Sequence, residues 1–144
     1  MSDQLWRVEV FDGGNFHRFY KRLDEVERAV TDAAVQYVLA PLGIRICESE
    51  WGKSLGRGLF ELRIRRSIDT ILREHGPSGA ADRVPKRWWK KRVLIRVYCT
   101  FHGDKIVLLL GGYNKLRAPS SKQEQKEIRA ARAALEQWKR DQPS

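Results

Sequence analysis

A strand that alternates apolar residues with arginines must lay one face on a core and turn the other toward solvent or an anion. This chain contains two such runs. In Leu59-Phe60-Glu61-Leu62-Arg63-Ile64-Arg65, the residues Phe60, Leu62 and Ile64 share one face, and Leu59, Glu61, Arg63 and Arg65 share the other. In the run from Val93 to Phe101, the set Val93, Ile95, Val97, Cys99 and Phe101 alternates with Leu94, Arg96, Tyr98 and Thr100. If both apolar faces cover one core, Arg63, Arg65, Arg96 and Tyr98 gather on the opposite face. Clustered guanidinium groups beside a phenol suit a phosphate-bearing partner. The competing reading is a solvated sheet face on which Glu61 pairs with an arginine.

Charge points the same way. The net charge of +10 and pI of about 10.0 predict attraction to polyanions, RNA or DNA first; an acidic protein or an anionic membrane surface also fits. A chain of 144 residues suggests a single domain, 1–144, able to bury a core without staples. The two cysteines, Cys47 and Cys99, have neither metal-site nor disulfide-framework spacing. The N-terminus shows no basic region followed by an apolar run, and no apolar stretch reads as long enough to span a bilayer. Cytoplasmic residence with no membrane partner is the resulting expectation.

Along the chain, Leu5–Phe11 alternates as a strand, and Phe16–Lys21 can form a helical turn. Arg22–Ala40 has helical spacing and is stopped by Pro41 and Gly43. Gly43–Arg57 reads as a turn-rich loop. Residues 66–91 read as a long inserted loop, broken by Gly76-Pro77-Ser78-Gly79, although Ile68, Ile71 and Leu72 could start a helical turn. A hairpin then joins Val93–Phe101 to Lys105–Gly112. Its second strand is apolar without alternation from Ile106 to Leu110, which predicts cover on both faces. Ser121 and Glu124 have capping-box spacing ahead of a helix to about Arg140, with Ile128, Ala131, Leu135 and Trp138 on one stripe.

Three stretches, in this order and spacing, resemble the RelE/HigB-type toxins of bacterial type II toxin–antitoxin modules, in particular the phage-derived HigB-like branch. They are Trp51–Arg65, Arg96–Leu110 and Gly112-Tyr113-Asn114-Lys115, extended by Pro119–Lys122 and Glu127–Arg132. The resemblance spans most of the chain after Gly43. It implies an α+β fold: a compact, mostly antiparallel four-stranded sheet with helices packed on one face and a C-terminal helix. It also implies a metal-independent, ribosome-dependent mRNA endoribonuclease, neutralised by a cognate helix-turn-helix antitoxin. Arg63 and Arg65 match the family's alternating basic residues, Arg96 its third-strand arginine, and Lys115 its basic residue after the fourth strand. The tyrosine that many members carry near the last helix is absent; Lys122 stands thereabouts, and the identity of the base stays open. The related ParE type shares the fold and inhibits DNA gyrase. A non-catalytic nucleic-acid-binding protein is the third class.

RNA cleavage by its own 2′-hydroxyl requires removal of a proton, stabilisation of a dianionic phosphorane and protonation of the leaving 5′-oxygen. Arg63, Arg65, Arg96 and Lys115 are the candidate catalytic cations. Tyr98, Tyr113 and Lys115 are candidate proton carriers, while His17, His75 and His102 read as ordinary surface residues. The run Lys86-Arg87-Trp88-Trp89-Lys90-Lys91 mixes charge with aromatics, as a surface that tracks a phosphate backbone and stacks on a base would. Lys86, Arg87, Trp88, Lys90 and Lys91, with Tyr98, Arg117 and Lys122, form the candidate RNA-binding set. The alternative is a tryptophan in the core among solvated lysines.

Overall fold

The structure, a computed structural model, describes residues 4–143. One sheet has the strand order β1-β5-β4-β3-β2, built from β1 (Arg7–Val10), β2 (Gly52–Gly56), β3 (Leu59–Ile64), β4 (Ile95–His102) and β5 (Ile106–Asn114). β1 runs parallel to β5, and every other neighbouring pair is antiparallel. The helices are α1 (Phe16–Lys21), α2 (Glu25–Ala34), α3 (Ala40–Leu42), α4 (Ile68–His75) and α5 (Ser121–Asp141). The fold is therefore mixed α+β, a multi-stranded sheet with helices packed against it and a helix at its C-terminal end.

Among the described residues the strand count is five rather than four. The additional strand, β2, lies in the stretch read as loop; glycines and exposed polar residues gave it no alternation to detect, and it forms by pairing with β3. The helices also cover both faces of the sheet. On one face, Leu62, Ile64, Ile95, Val97, Cys99, Val107 and Leu109 pack with residues of α1, α2 and α4. On the other, Leu59, Tyr98, Leu108, Leu110 and Tyr113 lie under Ala131, Ala134 and Leu135 of α5. The arginine-bearing face carries leucines as well, and each fully buried leucine is worth roughly 1.5–3 kcal/mol, so that face also attracts a helix. The unalternating apolar run in β5 is covered on both sides as its sequence predicts.

α2 begins with a capping box: the Asp24 carboxylate accepts from Glu27 N–H, and the Glu27 carboxylate accepts from Asp24 N–H. The helix continues through a π turn, Val35–Leu39, into α3. Its α-helical part stops at Gly43, whose φ of +55° suits glycine and whose Cβ would clash with the Trp6 indole, and a 3-10 helix, Gly43–Glu48, carries the run on. By length and composition the helical run Glu25–Glu48 could cross a membrane, contrary to the sequence expectation, but half of its apolar window is buried inside the protein. α2 packs against α4 and β3.

Residues 66–91 are folded rather than a bare loop. Ile68, Ile71 and Leu72 of α4 enter the main core, and 3-10 turns follow at Ala80–Arg83 and Lys86–Trp88. The buried Asp69 ties the segment together by accepting from Lys90 N–H at 2.8 Å and Arg73 Nη1 at 2.7 Å. The helical spacing of Ile68, Ile71 and Leu72 was visible; the long-range Asp69–Lys90 tie that orders the remainder was not. At the start of α5 the cap is Ser120, one residue earlier than expected, accepting from Gln123 N–H.

Candidate phosphate-binding site

Arg63 and Arg96 are direct cross-strand partners, and the next aligned residues on that face are Glu61 and Tyr98. Their side chains project toward α5, on the same side as Leu59. Arg63 Nε lies 3.7 Å from Glu61 Oε1, and Arg96 Nε lies 4.0 Å from Glu61 Oε2. These are charge pairs too long to be hydrogen bonds. Arg63 Nε, Arg96 Nε and Nη1, Glu61 Oε2 and Tyr98 OH are buried without hydrogen-bond partners among the described residues. Each such group costs about 1–3 kcal/mol, more when charged. The positive charge of Arg63 is fixed at the rim of a covered cluster, where an anion can meet its exposed part.

Access to the cluster is graded. The Arg96 and Glu61 side chains are 3% and 6% exposed, whereas Arg63 is 29% and Lys115 is 35% exposed. Lys115 follows β5 and is held beside the start of β4 by its N–H bond to Leu94 O at 2.8 Å. Its Nζ lies 3.5 Å from Glu124 Oε1 in the first turn of α5. Arg63 and Lys115 are the groups an incoming phosphate can touch, with Arg96 and Glu61 beneath them.

Burial pushes the Glu61 carboxyl above its usual range, with Arg96 and Arg63 opposing that rise. Burial also lowers Arg96 from its ordinary value, and Glu61 partly restores it. Tyr98 is fully buried; burial first, then the charges of Glu61 and Glu124, raise its hydroxyl so that it stays a neutral phenol. Tyr98 therefore belongs to the support beneath the site, where α5 covers it, and not to an RNA-facing surface. Glu61 is the carboxyl whose surroundings most favour taking up a proton.

The remaining sequence candidates scatter. Arg65 lies beyond β3, exposed, with Nη2 3.4 Å from Glu50 O. Arg117 is committed to structure: it donates to Glu27 at 2.9 Å and Asp24 at 2.9 Å, while Asn114 donates to the same Glu27 carboxylate, fastening the loop after β5 onto α2. Lys86, Arg87, Lys90 and Lys91 are exposed, and Arg87 meets Glu25 at the start of α2 at 3.8 Å. Trp88 packs partly against the core, and Trp89 sits under Arg73 with the guanidinium carbon 4.5 Å from the ring centroid. Lys122 is exposed on the first turn of α5. None of the histidines joins the cluster: His17 faces Asp12, His75 lies edge-on to Trp51, and His102 packs on Trp138.

Sequence reasoning gave Glu61 only a minor part and did not single out Glu124. The strand alternation could have assigned Glu61, because it shares a face with Arg63. Glu124 was hidden by the one-residue error in the α5 cap, which made it a capping residue instead of a partner for Lys115. Among the described residues, no group of His, Cys, Asp and Glu is arranged to hold a metal ion. No protein-family model matches this chain, and neither a curated protein nor a solved structure matches it significantly.

Proposed function

We propose that this protein is the toxin of a type II toxin–antitoxin module, an endoribonuclease that cuts mRNA on the ribosome and so inhibits translation in the cytoplasm. The observation that carries the reading is the cross-strand Arg63–Arg96 pair, with Glu61 between the two guanidiniums and Arg63 partly exposed. A scissile phosphodiester meets the cluster at its partly exposed members, Arg63 and Lys115, above the covered Arg96. Arg63 and Lys115 meet its non-bridging oxygens, Arg65 adds charge from the edge, and Arg96 holds Arg63 and Glu61 in place. The 2′-hydroxyl attacks phosphorus, the P–O2′ bond forms and the P–O5′ bond breaks. Glu61, beneath Arg63 and Lys115, takes the 2′-hydroxyl proton through one intervening water, and the Lys115 ammonium protonates the leaving 5′-oxygen, so charge and protons balance. The resemblance to RelE/HigB toxins supports the ribosome as the setting and a helix-turn-helix antitoxin as the partner. The ribosome would orient the 2′-hydroxyl, and such positioning can supply a large part of the barrier reduction.

The test is induction in a bacterium without an antitoxin, followed by mapping of mRNA 5′ ends. Growth arrest with cuts inside translated regions is the expected result. Early loss of DNA synthesis with mRNA intact would replace this reading with gyrase inhibition.

A further inference from the structure

We infer that the cleft between α1 and the loop–helix junction after β5 binds one nucleotide of a single-stranded RNA, next to the arginine site. This rests on the nuclease reading for its biological setting, but the cleft's chemistry stands independently. Its volume is about 260 Å³, just below the range of roughly 300–1,000 Å³ typical of drug-sized ligands, so it suits one nucleotide rather than a folded element. Phe19 and Leu23 line its apolar floor, Arg18 and Arg22 one wall, and Gln123 and Glu127 of α5 lie across from them. Arg18 and Arg22 stand one helical turn apart on the same face. Among the described residues neither guanidinium has an ion-pair partner, unlike Arg117 at the cleft's end, which is consumed by Glu27 and Asp24.

The mixture of charges selects the ligand class. A bare anion or an acidic peptide would satisfy the arginines but be repelled by Glu127. A nucleotide brings a phosphate for Arg18 and Arg22 together with hydroxyl and amino donors for the Glu127 carboxylate, which accepts a 3.3 Å bond from Gln123. The apolar floor takes part of the base or ribose. Closeness fixes the floor's shape: a Cβ at Gly112 would meet the Phe19 ring at 2.3 Å, so only glycine lets α1 sit this near β5.

Position links the cleft to the arginine site. Tyr113 lines the cleft and is also the cross-strand partner of Arg96. Arg63 lies two strands from Tyr113, across β4, and at about 5 Å per strand that is about 10 Å, close enough for nearby positions on one RNA strand. The Tyr113 hydroxyl donates to Ala118 O and sits 3.3 Å from Ser120 O, which holds the loop between the two sites in shape.

The test is a ¹⁵N NMR titration of the full chain with adenosine 5′-monophosphate, inorganic phosphate and adenosine. Amide shifts should centre on Asn15, Phe19, Gly112 and Tyr113, and the nucleotide should bind more tightly than either fragment. Because both arginines are exposed, R18A/R22A should keep its spectrum elsewhere while weakening the nucleotide by about tenfold or more. Glu127→Gln should strengthen phosphate binding and shrink the preference for the nucleotide over phosphate. Shifts confined to Arg63 and Lys115, or a cleft that answers only to an Asp/Glu-rich peptide, would overturn the inference. Cleaved mRNA in cells with no nucleotide at the cleft would sink this inference alone; nucleotide at the cleft with mRNA intact would sink the nuclease reading alone.

Discussion

Arg63 and Arg96 stand opposite each other on adjacent strands, and a single carboxylate, Glu61, lies within 3.7 Å of the first and 4.0 Å of the second. Like charges directly opposite on a sheet repel, so Glu61 offsets a repulsion the ladder would otherwise carry alone. The two arginines should then respond differently to removal. Arg63→Ala should sharply reduce the rate of RNA cleavage at little cost to folding, because its side chain is partly solvated. Arg96→Ala should cost about 3–5 kcal/mol, the usual penalty for breaking a buried pair from one side. Urea denaturation alongside single-turnover cleavage on programmed ribosomes separates these effects. Equal stability losses in the two variants would refute the assigned division of roles.

Glu61 should also give the protein a distinctive pH dependence. Its folded pKa lies above the ordinary carboxylate value because of burial. Between those two values the native state holds a proton that the unfolded chain has released, so this group's contribution to stability falls as pH rises through that window. Glu61→Gln should flatten that part of the stability–pH curve and, by removing the proton acceptor, depress cleavage. Denaturation midpoints measured from acid to neutral pH provide the check; an unchanged slope in the variant would show that Glu61 does not titrate there.

Alternation on β3 and β4 was enough to place Arg63 and Arg96 on one face, because a period of two is fixed by backbone geometry. It could not show that α5 covers that face. That outcome depends on Leu59, Leu108 and Leu110 presenting apolar surface among the arginines, and on Ala131 and Ala134 letting a helix approach. Arg96 therefore reads as solvent-facing in the sequence and is 3% exposed in the fold. Arg117 shows the same limit: its basic character was legible, but its engagement by Glu27 and Asp24 spans ninety residues of chain and leaves no local signal. The folded state of residues 66–91 hinges likewise on a distant contact, Asp69 to Lys90.

Asp69 should behave in the opposite sense to Glu61. Burial would raise its carboxyl, but hydrogen bonds from Lys90 N–H, Ser67 and Arg73 outweigh that and hold it below its usual range. Its contribution is present above the ordinary carboxylate value and is lost as pH falls through the depressed folded pKa. Asp69→Ala should cost about 1–3 kcal/mol at neutral pH by leaving the Lys90 N–H without its partner. Hydrogen exchange at Lys90 and Trp89 should accelerate more than exchange in β4. Uniform acceleration across the sheet would mean that Asp69 supports the whole core rather than this segment.

The exposed cations of that segment should act through binding rather than chemistry. Lys86, Arg87 and Lys91 lie outside the Glu61–Arg63–Arg96 cluster, and Arg87 has only a 3.8 Å contact with the solvated Glu25. Such surface pairs contribute little to stability, so replacing the three cations by glutamine should leave the denaturation midpoint nearly unchanged. If they contact an RNA backbone, each lost phosphate contact should reduce the salt slope of single-strand binding by about 0.7. The triple variant should therefore bind ribosomes more weakly, with a flatter salt dependence, yet cut mRNA at the normal rate once saturated. Arg63→Ala should show the converse: near-normal affinity and a reduced rate at saturation. A salt series of ribosome binding, paired with single-turnover cleavage at saturating protein, distinguishes the two. If the triple variant retained the parent's salt slope, this surface would not face RNA. If it lost rate at saturation with its affinity intact, the separation between a binding surface and a reacting site would fail.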